Sequence, residues 1–242
     1  MAKAPATTKQ TGGGGYSFED KVAARYMALM LAGRPPLDEW VGTIQQVKFQ
    51  NRTDGWLLDD LLLRLSGPTG ECRFALSIKS NQQITSSGFP GDFVTTVWEQ
   101  WLHRGTEVFD RARDFLGLVV GPLPQSVRTG WHGLLEKVVN ADPSSALTRL
   151  STSGASNEVE RQLFGSLACN LPGESNSEEE VVRLVKRLRV LDFDFQETPS
   201  EDQEAAVSSC QTVLESQCRT EAVDLWAVLL GIAREYLRRA VR

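Results

Sequence analysis

The amino-acid sequence predicts an α/β protein with a mixed sheet, an α-β-β-β-α-β core followed by a helical segment. Three observations predict it. Phe18, Val22, Tyr26 and Leu29 recur at helical spacing ahead of three short apolar runs. The turn Ser66-Gly67-Pro68-Thr69-Gly70 joins the second and third of those runs as a hairpin. A second amphipathic stretch, about residues 92–113, then leads into the fully apolar run Phe115–Val120, FLGLVV.

Each element has its own local signal. Ser17 and Asp20 form an S-x-x-D capping box, which starts the first helix, and Gly33, Pro35 and Pro36 stop it. The strand candidates are 42–50, with Ile44, Val47 and Phe49; 56–65, a nearly continuous apolar run broken by Asp59 and Asp60; and 72–79. In the second helix Val94, Val97, Trp98, Trp101, Leu102, Val108, Phe109 and Ala112 share one stripe, which makes both tryptophans core residues. A helix crossing between two strands makes them parallel neighbours, so the third and fourth strands are expected to run parallel. The two helices are expected to cover one face of the sheet each.

After Pro124 the strand signals end. Helical stretches are expected at 130–141, 157–168, 177–190 and 200–242, separated by linkers rich in Ser, Gly and Asn. The domain expectation is therefore a flexible tail over 1–15, an α/β domain over 16–124 and a helical extension over 125–242. The last helix reaches Arg242 without a C-cap glycine, the pattern of a domain cut from a longer protein. In the helix opened by Glu178-Glu179-Glu180, the later Arg183, Lys186, Arg187 and Arg189 complement the helix dipole.

Bulk properties narrow the function. The 242 residues are 41% hydrophobic and 24% charged, as in ordinary globular domains. No apolar run reaches the roughly 18 residues of a membrane span, and the first fifteen residues carry no secretory h-region. The expected location is cytoplasmic. Cys72, Cys169, Cys210 and Cys218 form no CxxC pair, and with only two histidines the chain offers no zinc cluster. Net charge is -5, which disfavours a generic nucleic-acid coat. No GxxxxGK[ST] loop occurs, so a nucleotide-driven switch must lie in another module.

The chemistry-bearing pair is Asp60 and Lys79, 19 residues apart on the two arms of the hairpin. An Asp opening one strand and a Lys ending the next lie side by side. Phosphodiester hydrolysis needs a divalent cation held by carboxylates and gains from a lysine beside the nucleophile. Period-2 alternation puts Ser77 and Lys79 on one face. Glu19, in the first turn of the opening helix, is a candidate third metal ligand. Gln82 and Gln83 follow the lysine; they are candidate contacts to phosphate or the attacking water, or solvent-facing loop amides.

GGGGYSFEDKVAARY, GWLLDDLLL and FALSIKSNQQITSSGFPGDFV, in this element order, resemble the PD-(D/E)xK double-stranded DNA endonuclease effectors of bacterial antiphage systems. Those domains are fused to NACHT/STAND-type NTPases or to cyclic-oligonucleotide sensors. The resemblance covers about Gly15 to Pro122. It implies a restriction-endonuclease-like core and Mg²⁺- or Mn²⁺-dependent cleavage of double-stranded DNA. It further implies activation by homo-oligomerisation and a sensor or NTPase module in the same or a partner chain. The catalytic set is then Asp60, Lys79, Glu19 and Gln82, with Glu19, Asp60 and Asp59 as metal ligands. Asp59 is the alternative to Asp60. One departure stands out: the motif's acidic position, two before the lysine, is Ser77. It motivates the other expectation, a catalytically faded fold used as an oligomerisation or docking module. An RNase or a nickase is a further variant of the enzyme reading.

Overall fold

The computed structural model describes residues 16–37, 41–80, 84–103, 108–152, 154–169, 177–195, 200–214 and 218–240. Gln82 and Gln83 lie outside them. The elements run α1 (Phe18–Leu31), β1 (Thr43–Phe49), β2 (Leu61–Gly67), β3 (Gly70–Lys79), α2 (Gly91–Leu102), β4 (Phe115–Val120), α3 (Gln125–Val139), α4 (Pro143–Ser151), α5 (Glu158–Ala168), α6 (Glu178–Arg187), β5 (Leu188–Asp192), α7 (Glu201–Leu214) and α8 (Arg219–Ala240). The sheet order is β1-β2-β3-β4-β5. The first three strands are antiparallel, whereas β3, β4 and β5 are parallel. The α-β-β-β-α-β order of the sequence reading is present, and the sheet is mixed as expected.

Three layers result. Against one face pack α2 and the α3–α6 group, closing over Trp98, Trp101, Leu116, Leu118, Trp131 and Leu184. Against the other pack α1, α7 and α8, closing over Tyr26, Leu63, Phe74, Phe115 and Trp226. β4 is buried along its whole length, which is why its sequence is continuously apolar. Trp98 and Trp101 are 1% and 2% exposed, so they are core residues as their spacing predicts. Their ring N–H groups donate to the Leu167 carbonyl (2.8 Å) and the Glu180 carboxylate (2.7 Å).

The capping box at Ser17 and Asp20 forms as read, with 3.1 Å and 2.8 Å bonds. Asn157 and Glu160 build a second one on α5. Gly42 has φ +92°, and a Cβ there would meet the Ser66 carbonyl at 2.1 Å; β1 can start against the end of β2 only with glycine at this point.

Four expectations are corrected. The second strand starts at Leu61 rather than at residue 56, because a 3-10 turn (Arg52–Asp54) and bends occupy the preceding segment. α2 ends at Leu102, and Phe109 returns to the core from the following irregular segment. α1 and α2 do not cover the sheet alone: each shares its layer with helices from after Pro124. Residues 188–192 are a strand, not the end of a helix, so Arg189 lies on the sheet rather than on α6. β5 pairs with β4 from Leu116↔Leu188 to Val120↔Asp192.

Candidate functional site

The carboxyl edge of the parallel strands carries the polar residues singled out from the sequence. Asp60 immediately precedes β2 and Lys79 ends β3, and the antiparallel pairing Leu61↔Leu76 draws the two together. One oxygen of Asp60, Oδ2, takes three donors: the Lys79 ammonium at 2.9 Å, the Ile78 amide at 2.7 Å and the Ser77 hydroxyl at 3.3 Å. Ser77 thus serves the carboxylate as a hydrogen-bond donor. The ion pair is open to water, with the lysine side chain 44% exposed and the aspartate 27%.

Asp59 sits beside this pair. Partial burial, and then the neighbouring charge of Asp60, raise its carboxyl above the usual carboxylate range. Its carbonyl accepts from the Asn51 amide at 3.0 Å, and the Asp60 carbonyl accepts from Gln50 at 3.4 Å. Gln50 has φ +46°, a left-handed conformation that is uncommon outside glycine, so the backbone beside the pair is strained.

Glu19 does not join them. It lies on α1, in the layer that also holds Ile78, whereas alternation places Ser77 and Lys79 on the opposite face of β3. Among the described residues no three acidic, histidine or cysteine side chains gather closely enough to hold a metal ion. Glu19, Asp59 and Asp60 therefore do not gather into the three-carboxylate Mg²⁺ or Mn²⁺ ligand set that the resemblance implies.

Sequence reasoning missed a second ion pair on this edge. β5 brings Asp192 into line with Val120, which itself pairs with Lys79, so the three share one row across the sheet. The Asp192 carboxylate accepts from Arg128 on α3 and from the Leu123 amide at 3.3 Å. With strands about 4.8 Å apart, the backbones of Lys79 and Asp192 stand about 10 Å from each other. The signal for this strand was the alternation Leu188, Val190, Asp192 against Arg189, Leu191, Phe193.

No protein-family model matches the chain, and no curated protein sequence does. Solved structures do match. One is the Cap4 SAVED/CARF-domain containing receptor of Acinetobacter baumannii, at TM-score 0.55 and 10% identity, covering 98% of this chain and 44% of that one. The same receptor with the cyclic trinucleotide 2'3'3'-cAAA matches at TM-score 0.52 and 10% identity, over 98% and 42%. With 3'3'3'-cAAA it matches at TM-score 0.51 and 11% identity, over 98% and 44%. The fold resembles theirs over nearly the whole chain. This chain spans less than half the length of the structures it matches.

These comparisons correct the functional expectation. The matched structures are described as receptors, and two hold cyclic trinucleotides. None of these three is described as a nuclease or as bound to DNA. Against these matches the reading as a PD-(D/E)xK effector that cleaves double-stranded DNA is withdrawn, and the restriction-endonuclease-like label is not carried by the fold match. The α/β class stands. Among the described residues no helix is long and apolar enough to cross a membrane.

Proposed function

We propose that this chain is a non-catalytic docking module of an antiphage receptor that responds to a cyclic oligonucleotide, and that it associates with a second copy of itself. The observation that carries the reading is the outer face of α8. Its inner face is spent on the core through Ala222, Trp226, Leu229, Leu230 and Ala233. Opposite them, Ala227, Val228, Gly231 and Ile232 are exposed, Val228 by 55% and Ile232 by 36%. Flat apolar surface on a helix of this length is a docking feature.

The charges around that patch favour a second copy. Glu221 lies towards one end of the helix and Arg238 towards the other. Two α8 helices packed antiparallel about a two-fold axis bring Glu221 of each copy to Arg238 of the other. The same register sets Asp224 near Glu235, so the ionic gain is partial and the apolar centre supplies most of the attraction. The Asp60 carboxylate fits the reading too: its bonds to Ile78 and Lys79 tie the hairpin to the sheet edge, a structural use.

Sedimentation of the chain, with and without a cyclic trinucleotide, tests the proposal. A concentration-dependent dimer that Val228→Glu abolishes, with the melting temperature of the variant unchanged, is the expected result. A chain that stays monomeric at every concentration, with and without the trinucleotide, overturns it.

A further inference from the structure

The α2-side layer covers β3, β4 and β5 but leaves the far rim of β1 and β2 open. There a cleft of about 350 Å³ is lined by Gln45, Gln46, Arg64, Leu65 and Glu71. Strand pairing sets the polar members in a row. Gln46 stands opposite Arg64, and Arg64 stands opposite Arg73. Glu71 is on the same face by alternation. A bulge in β1 between Ile44 and Gln46 turns both exposed glutamines to this rim.

Two arginines directly opposite each other repel, and the two are not treated alike. Arg73 is neutralised: its guanidinium binds Asp114 at 2.6 Å and 3.0 Å and lies over the Trp56 ring. Arg64 has no such partner. Among the described residues the side chains of Arg64, Gln46 and Glu71 make no hydrogen bond or ion pair with one another or with any neighbour. A guanidinium, an amide and a carboxylate, all exposed, thus line one cleft without a protein partner among the described residues.

We infer that this cleft binds a nucleotide, with Arg64 holding a phosphate. The guanidinium fork matches phosphate oxygens two at a time. The Gln46 amide both donates and accepts, as the edge of a base requires. Glu71 accepts from a ribose hydroxyl or an exocyclic amine, groups that inorganic phosphate lacks. The choice of a nucleotide over another phosphate ester rests on the receptor reading above; the anion site itself does not.

The test uses the whole chain, titrated separately with adenosine monophosphate, adenosine and inorganic phosphate. Binding is followed by calorimetry and by amide chemical shifts. Adenosine monophosphate is expected to bind most tightly and to move the signals of residues 45, 46, 64 and 71. Arg64→Ala should weaken it about tenfold or more, the worth of one charge-assisted bond. Glu71→Gln should weaken the nucleotide but not inorganic phosphate. Arg161→Ala, at an exposed arginine on α5 in the helical layer, should change nothing. Equal binding of adenosine and its monophosphate, or wild-type affinity in Arg64→Ala, overturns the phosphate role. Equal binding of inorganic phosphate and the nucleotide overturns the nucleotide assignment. The sedimentation result is independent of all of these, so either proposal can fail without the other.

Discussion

Lys79 reaches Asp60 at 2.9 Å through the same carboxylate oxygen that accepts the Ile78 amide at 2.7 Å. The two bonds differ in worth. The lysine is 44% exposed, and open ion pairs contribute about 0–1 kcal/mol. A carboxylate bonded to a main-chain N–H at a buried residue is worth about 1.5–3 kcal/mol. Asp60→Ala should therefore cost about 1–3 kcal/mol, and Lys79→Ala less than about 1 kcal/mol, in urea unfolding. Equal losses in the two variants would show that the ion pair, not the main-chain bond, holds the hairpin end.

Asp59 gives a pH prediction. Its carboxyl titrates above the usual range because burial and the Asp60 charge disfavour the ionised form. A raised carboxylate favours the folded state while protonated, and that advantage is lost as pH rises through the folded value. The window opens near the ordinary aspartate value of about 3.9 and extends upward. Asp59→Asn should remove this part of the pH dependence and match or exceed the wild-type urea midpoint at pH 7. A lower midpoint at pH 7 would mean that the ionised carboxylate is stabilising.

Gly117 lies in the middle of the buried β4. A Cβ there would stand 2.6 Å from both the Phe74 and Leu76 side chains. Gly117→Ala should cost about 1–3 kcal/mol by overpacking. Phe74→Leu in the same chain should recover part of the loss, a coupling read from a double-mutant cycle.

The four thiols should separate by reactivity. Burial, and then the charge of Asp114, push Cys72 up to about 11, and burial also raises Cys210. Cys169 and Cys218 are exposed. A thiol reagent at pH 8 should label Cys169 and Cys218 first, and reach Cys72 and Cys210 only as the protein unfolds. Early labelling at Cys72 would show that the N-terminal edge of β3 opens readily.

The hairpin pair was legible because a tight turn and a period of two leave little freedom: Ser66–Gly70 sets the register, and register puts Asp60 beside Lys79. Glu19 was misplaced for a reason that composition cannot show. A helix next to a sheet can lie on either face, and α1 lies on the one away from Lys79. β5 was missed because Val181, Val182, Leu184 and Val185 give a strong helical pattern that runs straight into it. Only pairing with β4, whose partner residues lie seventy-two positions earlier from Leu116↔Leu188 to Val120↔Asp192, makes the extended form win. Arg64 went unnoticed because a lone arginine on a strand carries no signal until its neighbours are known.

The roof over α1 is made of the last helices in the chain: α7 and α8 pack on it, and Arg234 reaches Asp20 at 3.4 Å across 214 positions. A ribosome releases α1 and the first four strands long before it releases α8. Until then one side of the nascent sheet has a single helix on it, with Leu63, Phe74 and Phe115 short of cover. Synthesis therefore passes through a stage in which a half-roofed sheet must be shielded from its neighbours. A stop codon placed after α7 would make that stage permanent.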